Sequence, residues 1–79
     1  MNNNQKKLIK ELAEDFAPFV QDIESGIATT QNNYGRYGAM LSKLSKGNRK
    51  VANILGLAMI EAGANANGVN DALAVFFPA

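Results

Sequence analysis

Apolar side chains return every three or four residues along most of the chain. Leu8, Leu12, Phe16, Phe19, Ile23 and Ile27 are spaced four, four, three, four and four apart, and Ile9, Ala13 and Val20 widen the same stripe. That is the period of one helix face, with Glu11, Glu14, Asp15, Asp22 and Glu24 left on the other side. The spacing predicts a helix over about 5–26, preceded by a disordered tail at 1–4. Pro18 falls inside it, and a proline can neither donate to the Glu14 carbonyl nor fit its ring against that turn. A kink at Pro18, or two short helices end to end, is therefore expected. Gly26 is the expected C-cap, and Thr29-Thr30-Gln31-Asn32-Asn33 reads as a polar connection.

A second pattern runs through Tyr34, Tyr37, Leu41, Leu44, Asn48, Val51, Leu55, Ala58 and Ala62, the a and d positions of a heptad with only Asn48 polar. One long helix from about 31 to 62 would satisfy it, with Asn48 setting register. The same residues also fit two helices, over 33–46 and 49–62, with Gly47 ending the first and Asn48 capping the second. Glycine inside a helix costs about 1 kcal/mol against alanine, and the long version would contain Gly35, Gly38, Gly47 and Gly56. That cost favours the hairpin. Residues 51–60 are apolar nearly all round, as in a buried helix.

Gly63-Ala64-Asn65-Ala66-Asn67-Gly68 then reads as a loop, with Asn65 or Asn67 in the left-handed region. Asn70 is the expected cap of a last helix over 70–77, which carries Leu73, Phe76 and Phe77 and stops at Pro78. The whole reads as one all-α domain over 1–79, a small bundle of three or four short helices.

Composition narrows what such a bundle could do. A chain of 79 residues buries roughly 60% of its surface on folding, which makes a marginal core. It has no cysteine and no histidine. Disulfides, imidazole or thiolate zinc sites and Ser-His or Cys-His nucleophile pairs are thereby excluded. The acids lie off the apolar stripe and read as a solvated face, so no enzyme, no cofactor and no metal site is expected. The longest apolar run, 51–60, is half the length that a membrane span requires, and Met1-Asn2-Asn3-Asn4-Gln5-Lys6-Lys7 leads into no apolar leader segment. A cytoplasmic location is the resulting expectation.

Charge is the feature that stands out. Residues 11–24 carry five acids and no base, whereas 25–60 carry no acid and five bases, Arg36, Lys43, Lys46, Arg49 and Lys50. These bases could solvate the bundle, pair with the acidic face of the first helix, or meet an anionic partner. Gly35-Arg36-Tyr37-Gly38 matches the Gly-x-x-Gly of some phosphate-clamping loops, but no strands surround it. The expected function is a helical protein–protein interaction module. It would self-associate through 51–60, with Tyr34, Tyr37, Leu41, Leu55, Leu57 and Met59 at the interface. The alternative is a nucleic-acid-binding accessory protein using the basic cluster 36–50, with Tyr34 and Tyr37 available to stack on unpaired bases.

Overall fold

A computed structural model describes residues 2–26 and 32–78. It contains four helices, α1 (Asn3–Glu24), α2 (Tyr34–Ser45), α3 (Arg49–Glu61) and α4 (Ala66–Phe76). No strand occurs among the described residues.

Helix α1 begins two residues before its expected start. The Asn2 side chain accepts from the Gln5 N–H at 2.8 Å, and the Gln5 Oε1 accepts from the Asn2 N–H at 3.4 Å. This reciprocal capping box draws residues 2–4 into the helix and its cap, where the sequence reading left a tail. One helix continues through Pro18. Both Pro18 and Glu14 are exposed, so the carbonyl that loses its partner faces solvent and costs less than it would in a core. At the far end Ser25, not Gly26, is the C-cap, its N–H and its hydroxyl both donating to the Gln21 carbonyl.

Between α2 and α3 the chain makes a hairpin. Lys46 and Gly47 both take positive φ, 53° and 80°. Asn48 then caps α3, its side chain accepting from the Val51 N–H at 3.1 Å. Asn48 is thus a cap and not a register-setting core residue.

The last helix starts well before Asn70. Its N-cap is Asn65, in extended conformation with its side chain accepting from the Gly68 N–H at 2.9 Å, and the left-handed turn falls on Gly63. Gly68, read from the sequence as a loop glycine, is buried in the first turn of α4. A Cβ there would overlap the Asn32 carbonyl oxygen. It serves close approach and not flexibility.

The core is shared by all four helices. Val20 from α1, Tyr37 and Leu41 from α2, Ala52, Leu55 and Met59 from α3, and Val69 and Ala72 from α4 are buried together, with Phe77 closing one side. On α1 the buried line is Ile9, Ala13 and Val20, so the core face is turned away from the predicted stripe centre. Leu12, Phe16 and Ile23 are half-buried, and Leu8 and Phe19 are exposed. Ile27 and residues 29–31 of the expected connection lie outside the described residues.

Candidate interaction surface

The relative direction of the helices decides which surface residues meet. Lys6, Ile9 and Lys10 of α1 line one depression with Leu57, Ile60 and Glu61 of α3. Further along, Ala13, Glu14 and Ala17 face Glu61 and Ala62. Further still, the Glu24 carboxylate accepts from the Asn65 N–H at 3.3 Å. The first half of α1 thus lies against the last turns of α3, and α2 and α3 are joined by a short turn.

Four of the six residues expected at an interface are in the chain's own core. Tyr37, Leu41, Leu55 and Met59 are buried by the other helices. Tyr34 and Leu57 are the two that reach the surface. An apolar seam at a/d spacing is equally the inside of a four-helix globule, where the hairpin folds the seam back on itself.

Leu57, 42% exposed, stands over the groove between α1 and α3, whose floor is Ile9 and Ile60 and whose volume is about 290 Å³. Lys6 and Lys10 form one rim and Glu61 closes the end. On the opposite flank of α1 lie Leu8 and Phe19, the latter 57% exposed. At 3.6 residues per turn these two fall within about 20° of one another, with Asp15, Asp22 and Glu11 beside them and Lys6 and Lys10 on the far side. Helix α1 thus presents an acid-bordered apolar flank and a lysine-bordered groove back to back.

All five bases of the 36–50 cluster are exposed, but they do not form one patch. Lys43, Lys46, Arg49 and Lys50 bracket the hairpin. Arg36 sits at the other end of α2, its guanidinium beside Gly26, where a Cβ would be 3.5 Å from Nη1. The Gly35–Gly38 segment is helical and not a loop, and the Phe76 ring lies over Gly38. Tyr37 is buried and so withdrawn from any stacking role, while Tyr34 lines a shallow depression with Asp71, Ala74 and Val75.

A polar junction unforeseen in the sequence joins three helices. The Tyr37 hydroxyl donates to the Glu24 carboxylate, which also receives the Asn65 N–H at the start of α4. Burial, then the hydrogen bond and the charge of Glu24, push the Tyr37 phenol well above the usual tyrosine range. Nearby, Asn33 Nδ2 donates to the Ile23 carbonyl at 3.2 Å and Asn32 Nδ2 to Asp71 Oδ2 at 2.6 Å. The arrangement holds helix ends together. Among the described residues no group of three or more acids is placed to hold a metal ion, and no helix is long and apolar enough to cross a membrane.

These features define a small all-helical protein with an apolar groove between α1 and α3. No family model matches the chain, and neither a curated protein nor a solved structure was found to match it.

Proposed function

We propose that the chain is a non-enzymatic helical interaction module that associates head to tail with further copies of itself. The groove between α1 and α3, with Leu57 exposed above Ile9 and Ile60, carries this reading. Its occupant is the Leu8–Phe19 flank of α1 in a second copy. Charge complementarity supports that choice: the rim supplies Lys6 and Lys10, and the incoming flank supplies Glu11, Asp15 and Asp22. Because groove and flank are different surfaces of one chain, the contact is heterologous and repeats into rings or filaments.

Complementation between variants tests the idea. Leu57→Glu disables the groove and Phe19→Glu disables the flank, each at an exposed position that leaves the core intact. The expected result by light scattering is assembly of the wild type, monomers for each variant alone, and a dimer when the two are mixed. A wild type that stays monomeric at roughly 100 µM, where even weak contacts of this kind are populated, overturns the proposal. So does a mixture that stays monomeric.

A further inference from the structure

Four of the eight cations sit at the hairpin between α2 and α3. Lys43 and Lys46 end α2 and Arg49 and Lys50 open α3, whereas Lys6, Lys7 and Lys10 lie in the first turns of α1, Lys6 and Lys10 beside Glu61 at the far end of α3. The positive N-terminal end of α3 lies at the hairpin turn and adds to the field of its four bases. The negative C-terminal end of α2 is met by Lys43 in its last turn and by Lys46 at its cap. No acid occurs anywhere from 25 to 60.

The hairpin that carries four of these bases also exposes two large aliphatic side chains, Leu44 at 45% and Val51 at 40%, one on each side of the turn. We propose that this hairpin is a docking surface for an anionic lipid bilayer. Leu44 and Val51 enter the headgroup boundary while Lys43, Lys46, Arg49 and Lys50 meet the lipid phosphates and carboxylates. Aliphatic groups among lysines fit this surface better than a nucleic acid. A phosphate backbone offers Leu44 and Val51 nothing to bury against, and of the two tyrosines that could stack on a base Tyr37 is in the core and Tyr34 lies at the end of α2 away from the hairpin. The site is separate from the α1–α3 groove, so it stands whether or not the chain self-associates.

Co-sedimentation of the full chain with vesicles tests the inference, using phosphatidylcholine alone and phosphatidylcholine mixed with phosphatidylserine, and a nucleic acid duplex in parallel. Binding is expected to the mixed vesicles only, and to weaken with salt. Each lysine at an anionic surface strengthens partitioning about fivefold, so the triple variant Lys43→Gln, Lys46→Gln, Lys50→Gln should lose about a hundredfold. The pair Leu44→Ser, Val51→Ser leaves charge unchanged and should also lose most binding. Circular dichroism checks that each variant keeps its helices, as the exposure of all five positions leads one to expect. Equal binding to both vesicle types, or no binding to either, overturns the proposal. Tighter binding to the duplex that the serine pair leaves unchanged overturns it in favour of a nucleic acid partner.

Discussion

The phenol of Tyr37, in the first turn of α2, donates to the carboxylate of Glu24, in the last turn of α1. Tyr37 is fully buried, whereas Glu24 is exposed and keeps access to water. That asymmetry makes the two halves of the bond unequal on deletion. Glu24→Ala strands a buried hydroxyl and also removes the acceptor at the Asn65 N–H, which together cost about 1–3 kcal/mol. Tyr37→Phe leaves a carboxylate that water can satisfy, and should cost about 1 kcal/mol. Urea denaturation of both variants is expected to rank Glu24→Ala as the more damaging. The reverse ranking would mean that the junction does not hold α1, α2 and α4 together.

The same pair sets an alkaline limit on stability. Burial in the first place, then the bond to Glu24 and its charge, raise the phenol's affinity for its proton in the folded state. The unfolded chain releases that proton near the ordinary value of about 10. The stabilisation is thus fully present below pH about 10 and falls above it, by about 1.4 kcal/mol per pH unit for this one group. Lysines titrate in the same range, so the difference between wild type and Tyr37→Phe isolates the effect. The gap between their stabilities is expected to close as pH rises from 9 through 11, read from melts at each pH. A constant gap would place the phenol in an ordinary environment.

How legible the molecule was from its sequence depends on what kind of constraint each residue answers. The Gly47–Asn48 turn follows from local chemistry, a left-handed glycine and a side chain that caps the next helix, and it is where the residues put it. Helix class is equally local, since a 3.6-residue period leaves little alternative. Gly68 shows the opposite case. Its neighbour is the backbone of Asn32, 36 positions earlier in the chain, and nothing adjacent reveals that a side chain there would collide. The small-residue run 63–68 therefore has the composition of a loop although its second half opens α4. The burial of Tyr37, Leu41, Leu55 and Met59 within the chain is hard to read for a related reason. Apolar spacing shows that a face is buried but not whether its cover comes from the same chain. Glu24 left no trace at all, because one acid among five on an exposed helix face is marked only by the partners that folding brings to it.

The turn between α2 and α3 offers the sharpest test of the backbone itself. Lys46 and Gly47 are consecutive and both left-handed, at φ 53° and 80°. A Cβ at Gly47 would meet nothing within 4 Å, so substitution there has no steric component and reports conformational preference alone. Gly47→Ala should destabilise by about 1 kcal/mol, the penalty for an L side chain in that region. In a continuous helix the same change would stabilise by a similar amount. Lys46 already bears that penalty, so Lys46→Gly relieves it. Against this stands the extra freedom glycine adds to the unfolded chain, which leaves a net gain of about 0.5 kcal/mol. Adjacent substitutions in opposite directions, glycine lost at one position and gained at the next, are thus expected to move the melting temperature down and up respectively. A rise with Gly47→Ala would mean that α2 and α3 are one helix, and the hairpin carrying Leu44 and Val51 would not exist.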